Sequence, residues 1–240
     1  MHLEEPWFNL SLSSYENSSA SNAWRNQDEI IWNQNQRQQN KHIFYQLAYD
    51  FISSNRVSGD YFEFGCHRCR TFRMAMLEAK RHFLDEMRFY AFDSFEGLPE
   101  GYTDHEVKEW IPGALKTDDE IFKRLILQSG FCLDKVTLCK GYYENSLSDK
   151  KVIEIFDNTK ASMINIDCDY YESAVPIFSI IDKILQEGTI LYIDDYFAGY
   201  KGNPTKGVSR AMIDWLDTTV WKLESYLNVG WSGKSFIAYQ

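Results

Sequence analysis

The sequence predicts an α/β protein built on a doubly wound sheet that ends in a hairpin. Three observations point there. Short apolar, β-branched runs alternate with stretches whose apolar residues recur at helical spacing. Two of those runs end in acids, Ile164-Asn165-Ile166-Asp167-Cys168-Asp169 and Ile190-Leu191-Tyr192-Ile193-Asp194-Asp195, with an amphipathic helix's length between them. The chain then closes on two strand-like runs, about 222–228 and 235–239, joined across Gly230 and Gly233.

Residues 1 to about 26, rich in Ser and Asn and without periodicity, read as a loose arm or lid. From Asn40, the residues Ile43, Phe44, Leu47, Ala48, Phe51 and Ile52 recur as one helical face. The Asn/Gln run before it, Asn33 to Asn40, reads as a polar helix face or linker. Asp60 opens a strand through Gly65, and Thr71 is placed to cap a helix bearing Phe72, Ala75, Met76 and Ala79. A second strand, 88–93, precedes a long irregular stretch through Lys116, with Pro99, Gly101, Pro112 and Gly113, whose length suits a loop over a pocket. A helix over about 118–129 leads to a third strand, 135–140, and the fourth is expected to reach Asp169. A helix over 172–186, with Val175, Ile177, Phe178, Ile181, Ile184 and Leu185 buried, stops at Gly188, and the fifth strand ends at Asp194 and Asp195. Asn203 and Pro204 are expected to start a helix with Val208, Ala211, Met212, Trp215 and Leu216 inward. No repeat or second domain is visible; residues 1–55 read as arm and helices, and 56–240 as one domain.

Composition narrows the partners. A net charge of −10 argues against nucleic acid or an anionic membrane, both of which need a basic face. No apolar stretch approaches the roughly 20 residues of a bilayer span, and the segment Met1 to Ala20 carries acids without an apolar core, unlike a secretory leader. Five cysteines, an odd number, fit a reducing cytoplasm better than a disulfide framework. Cys66 and Cys69 form a single CxxC pair, too little for a structural zinc.

Parallel sheets bind ligands at the carboxyl ends of their strands. There the turn Glu63-Phe64-Gly65-Cys66-His67-Arg68-Cys69-Arg70-Thr71 lacks the three glycines that let a backbone approach a pyrophosphate. A ligand without phosphate fits it better, with Glu63 accepting from an ammonium and Asp93 from ribose hydroxyls. Asp167, Asp169, Asp194 and Asp195 would repel one another unless a positive charge stands between them, and a hard divalent cation such as Mg²⁺ answers that need.

The stretches 59–65, Phe92-Asp93-Ser94-Phe95-Glu96-Gly97-Leu98-Pro99, Gly141-Tyr142-Tyr143-Glu144-Asn145-Ser146-Leu147, Asp167-Cys168-Asp169-Tyr170-Tyr171-Glu172-Ser173 and Asp194-Asp195-Tyr196 together resemble the macrocin O-methyltransferase family over about residues 40–240. The resemblance implies a Rossmann-like class I methyltransferase fold: a mostly parallel, doubly wound sheet with an antiparallel last strand, plus an N-terminal helical extension. It implies S-adenosylmethionine and Mg²⁺ as cofactors, a sugar-containing small molecule as acceptor and, by analogy, a homo-oligomer. Carried over residue by residue, it gives Glu63, Gly65, Thr71, Asp93, Ser94, Gly141 and Tyr142 to the cofactor. Asp167, Asp194 and Asp195 become the metal ligands and Asp169 the general base. A sugar hydroxyl needs such help, since its pKa lies far above neutrality. One departure stands out. Where the family has a glycine pair before a serine, this chain has Cys69-Arg70-Thr71, which is expected to narrow or reshape that end of the site.

Two other readings share some of these residues. Asp167-Cys168-Asp169 also satisfies the D-x-D pattern of metal-dependent glycosyltransferases, although Glu63, Gly65 and Asp93 then go unexplained. A catalytically silent ligand-binding member of the same family draws on the altered turn. Among side residues, His67 reads as a solvent-facing loop histidine ahead of a cofactor contact, His82 and His105 show no evident partner, and Tyr102 and Trp110 can stack on a sugar or pack over the cleft.

Overall fold

The computed structural model describes residues 26–100, 107 and 110–240, with residues 26–33 described as helical backbone. The expected arm over 1–26, Tyr102 and His105 lie outside the described residues.

The chain runs α1 (Asn26–Ser54), β1 (Asp60–Phe64), a 3-10 turn (His67–Cys69), α2 (Arg70–Arg81), β2 (Phe89–Asp93), α3 (Asp119–Gln128) and β3 (Val136–Lys140). It continues through α4 (Tyr143–Ser146), α5 (Lys150–Asn158), β4 (Ala161–Ile166), α6 (Tyr171–Ile181), β5 (Ile190–Ile193), α7 (Gly207–Leu216), β6 (Lys222–Val229) and β7 (Gly233–Tyr239). The strands form one sheet in the order β3-β2-β1-β4-β5-β7-β6. The pairs among β1 to β5 are parallel, while β7 runs antiparallel to both β5 and β6, as the hairpin finish predicts.

Strand side chains alternate between faces, so each central strand feeds two apolar layers. Phe62, Phe64, Phe92, Ile164, Ile166, Leu191 and Ile193 meet α5, α6 and α7 on one face. Tyr61, Phe89, Ala91, Met163, Ile190 and Tyr192 meet α1, α2 and α3 on the other. This double burial explains the near-continuous apolar runs of β4 and β5. No described helix is long and apolar enough to cross a membrane.

Several boundaries differ from the sequence reading. Helix α1 extends back over the Asn/Gln run, and its buried stripe is Phe44, Tyr45, Ala48, Tyr49 and Ile52, whereas Ile43 and Leu47 are exposed. Two tyrosines carry the inward face because Tyr45 finds a hydroxyl partner in Tyr61, 2.7 Å away, and Tyr49 reaches the Met87 sulfur. Thr71 does not cap α2; that position falls to Cys69, with no side-chain cap. Strand β4 stops at Ile166 and β5 at Ile193, so the acids occupy the turns beyond rather than the strands themselves. Helix α6 ends at Ile181, and Val175 on it is exposed. Asn203 does not start a helix: its side chain accepts from Thr205 N in a local turn, and α7 begins at Gly207. Helix α5, with Val152 and Phe156 inward, has no counterpart among the expected elements.

Gly65 ties the two central strands together. Its φ is +88°, and a Cβ built there would lie 1.7 Å from the carbonyl oxygen of Asp167. Its glycine is therefore demanded by the neighbouring strand. Gly65→Ala is expected to cost about 3 kcal/mol or more, from backbone strain and a clash with backbone that cannot give. A urea-denaturation midpoint unchanged from wild type would refute that close approach.

Candidate active site at the carboxyl ends of β1, β4 and β5

Strand order reverses between β1 and β4, where open α/β sheets hold their ligands. A cavity of about 620 Å³ opens there, within the range of small-molecule sites. Gly65, Thr71, Asp93, Ser94, Gly141, Tyr142, Asp167, Asp169, Asp194 and Asp195 all line it. Residues far apart in sequence meet because each closes a parallel strand on the same edge.

Glu63 is placed differently from the sequence reading. It is fully buried and absent from the cavity wall, with its carboxyl accepting from the Tyr61 hydroxyl and, at 2.8 Å, from Thr71 Oγ1. Thr71 stands between it and the cavity. Burial raises the Glu63 pKa to about 8 despite those two hydrogen bonds. Asp93 is pinned by backbone: Oδ2 accepts from Cys66 N at 2.7 Å and Oδ1 from Phe95 N at 2.6 Å. Burial pushes its pKa up and those amides pull it back, leaving it raised.

The four acids converge as expected, but the fourth strand does not reach Asp169 as the sequence suggested. Asp167 follows the end of β4, and Asp169 turns inward through a left-handed conformation, φ +63°. Carboxylate oxygens of Asp167, Asp194 and Asp195 lie within 4.8 Å of one another. Burial, then the neighbouring charges, raises Asp167 to about 6 and holds Asp169 and Asp195 well above the usual carboxylate range. Asp194 departs the other way. Burial alone would raise it, but Lys41 and Arg37 outweigh burial and hold it low. Lys41 Nζ lies 2.8 Å from Asp194 Oδ2, Arg37 Nη2 lies 3.1 Å from the same oxygen, and the Tyr192 hydroxyl donates to Oδ1.

The donor set suits a hard divalent cation. Three carboxylate oxygens converge within reach of one ion. Four carboxylates outnumber the two cationic side chains that face them, so the site keeps a net negative charge for a cation to meet.

Sequence reasoning missed Lys41, Arg37 and Trp231. The cations sit four apart, one helical turn, Arg37 inside the Asn/Gln run and Lys41 just past it, so their common face was the available signal. Trp231, in the β6–β7 turn, remains 67% exposed at the cavity, with the Arg37 guanidinium 5.6 Å from its ring centre. His67 is not solvent-facing: it lines the cavity within 3.2 Å of Thr117 Oγ1, and burial lowers its pKa to about 4. His82 has partners, Asp50 and the Glu78 carbonyl, each at 2.8 Å. Trp110 packs edge-on to Tyr170 beside the cleft. In the altered turn, Arg68 and Cys69 both take left-handed φ of +57°; Cys69 turns into the core, while Arg68 and Arg70 line the cavity.

A 3-2-1-4-5-7-6 sheet with this cleft at its switch point is the Rossmann-like fold of class I O-methyltransferases. More narrowly, the chain belongs to the macrocin-O-methyltransferase (TylF) family, whose sequence profile matches residues 36–214. No curated protein matches it in sequence. Among solved structures it is similar to the O-methyltransferase NovP, at 16% identity and TM-score 0.66, over 82% of this chain and 79% of that one. It is also similar to the calicheamicin methyltransferase CalS11, at 16% identity and TM-score 0.65, over 97% of this chain and 88% of that one. The apo structure of CalS11, described as a TDP-rhamnose 3'-O-methyltransferase, gives TM-score 0.57 at 16% identity over 97% and 90%. An O-methyltransferase from Bacillus cereus in complex with SAH gives TM-score 0.52 at 11% identity, over 82% of this chain and 81% of that one.

The Glu63 environment has a pH signature. A carboxyl whose folded pKa, about 8, exceeds its unfolded value binds its proton more tightly when folded. It therefore supports stability fully below about pH 4.5, and that support is lost as pH rises towards 8. Glu63→Gln is expected to remove this slope, so the wild type should lose about 3 kcal/mol relative to the variant between pH 5 and 8. Parallel urea midpoints for the two proteins across that window would rule it out.

Proposed function

We propose that this protein transfers the methyl group of S-adenosylmethionine to a hydroxyl of a sugar carried by a small molecule. In this reading Asp167, Asp194 and Asp195 hold Mg²⁺ and Asp169 is the general base. The observation that carries it is the meeting of four carboxylates beside an open cavity at the switch point of a methyltransferase sheet. The printed description of CalS11 favours a sugar linked to a nucleotide or natural product as acceptor.

When bound, S-adenosylmethionine supplies an electrophilic methyl group and Mg²⁺ lowers the pKa of the acceptor hydroxyl. The protein's own residues do the rest. Gly65, Thr71 and the Gly141-Tyr142 turn offer the adenosyl and methionine side of the cavity, next to Asp93 and Ser94. Asp93, both oxygens fixed by backbone amides, presents a carboxylate that needs no reorganisation to accept from ribose hydroxyls. Glu63 acts one step back, orienting the Thr71 hydroxyl. Asp169 takes the hydroxyl proton; burial and the acids beside it make its carboxylate a stronger proton acceptor than an ordinary one. Trp231 and Trp110, beside the cavity, give a sugar ring flat apolar faces.

Calorimetric titration with S-adenosylhomocysteine, with Mg²⁺ and then with chelator, tests the core of this reading; one-to-one binding is expected, and none to folded protein would overturn it. Asp169→Asn should retain that binding yet lower methyl transfer to a nucleotide-linked rhamnose by about 10²–10⁴-fold. A variant turning over at the wild-type rate would exclude Asp169 as the base.

A further inference from the structure

The carboxylate oxygens offered to a cation are already engaged. Lys41 Nζ is 2.8 Å from Asp194 Oδ2 and 3.5 Å from Asp167 Oδ2, and Arg37 Nη2 is 3.1 Å from that same Asp194 oxygen and 3.7 Å from Asp195 Oδ1. Both cations come from one turn of α1, and Lys41 is buried. An ammonium bonded to Asp194 Oδ2 would stand within a few ångströms of any cation sharing that oxygen, and like charges at such range in a buried site repel strongly.

We propose that Lys41, seconded by Arg37, is the counter-ion of the carboxylate cluster in the cation-free enzyme and competes with a divalent cation for Asp194, so that loading the cation releases the N-terminal half of α1 from the site. The inference rests on the divalent-cation part of the reading above. Two features support it. Among the described side chains of α1 the buried apolar stripe begins at Phe44, whereas residues 34–41 meet the site through charged and polar contacts. That polar hold is also incomplete: Arg37 Nε and Gln38 Oε1 are buried without hydrogen-bond partners, and both residues line the cavity. Release of this turn would let both atoms recover hydrogen bonds from water.

The test uses Mn²⁺ as a spectroscopically visible stand-in for Mg²⁺. It is titrated into wild type, Lys41→Met and Arg37→Gln under electron paramagnetic resonance. S-adenosylhomocysteine binding is measured on the same preparations. In parallel, amide hydrogen exchange over residues 34–43 of the wild type is followed with and without saturating Mg²⁺. Lys41→Met is expected to bind Mn²⁺ at least about tenfold more tightly than wild type, and Arg37→Gln to gain by a smaller factor. Exchange over 34–43 should accelerate severalfold on Mg²⁺ binding. Equal or weaker Mn²⁺ binding by folded Lys41→Met, Mn²⁺ binding by no variant, or exchange that stays level or slows would each overturn the proposal. If Lys41→Met does not fold, wild-type exchange decides. Loss of S-adenosylhomocysteine binding in wild type would sink the methyltransferase reading instead, and leaves the Mn²⁺ comparison to judge the competition on its own.

Discussion

Four carboxylates crowded onto one edge of the sheet are the constraint around which the rest of the site is organised. Parallel strands bring Asp167, Asp169, Asp194 and Asp195 together whatever the cost of their repulsion, because each follows a strand that must be buried on both faces. The compensation is layered. Lys41 and Arg37 face Asp194 from α1, the Tyr192 hydroxyl adds a donor, and the remaining negative charge defines what an incoming ligand must bring.

The opposite end of the cavity is organised by hydrogen bonding instead of charge. Asp93 takes two backbone amides, and Glu63 takes two hydroxyls while staying out of the cavity. One end is thus fixed by backbone and hydroxyl donors, and the other by opposed charges. An adenosyl group and a polyhydroxylated acceptor need about that division of labour.

How much of this was readable from the chain follows from how local each signal is. The strand order's consequences, the acidic strand ends and the closing hairpin were visible because periodicity and punctuation are local. The acids at the strand ends were visible for the same reason, whereas Thr71, Ser94, Gly141 and Tyr142 came from the family resemblance. What failed depended on partners distant in sequence. The choice of Tyr45 and Tyr49 over Ile43 and Leu47 for the inward face of α1 was made by Tyr61 and Met87. Glu63's withdrawal from the cavity depends on Thr71 and Tyr61, and the role of Lys41 on an aspartate at the far end of the chain. Glycine-like geometry at Arg68 and Cys69 could not be anticipated from residues that ordinarily avoid it.

That last separation bears on biosynthesis. Lys41 and Asp194 stand 153 residues apart, yet they meet at the centre of the site. At a ribosomal pace of about 5–20 residues per second, α1 waits roughly 8–30 s for its aspartate to be made. Over that interval Tyr45 can meet Tyr61 and Tyr49 can meet Met87, but Phe44 lacks Tyr192 and the two cations have no acid to face. The nascent helix is therefore anchored first by its apolar half, and the charged half docks only when nearly the whole sheet exists. Order of synthesis makes the electrostatic centre of this enzyme among the last parts of it to be completed.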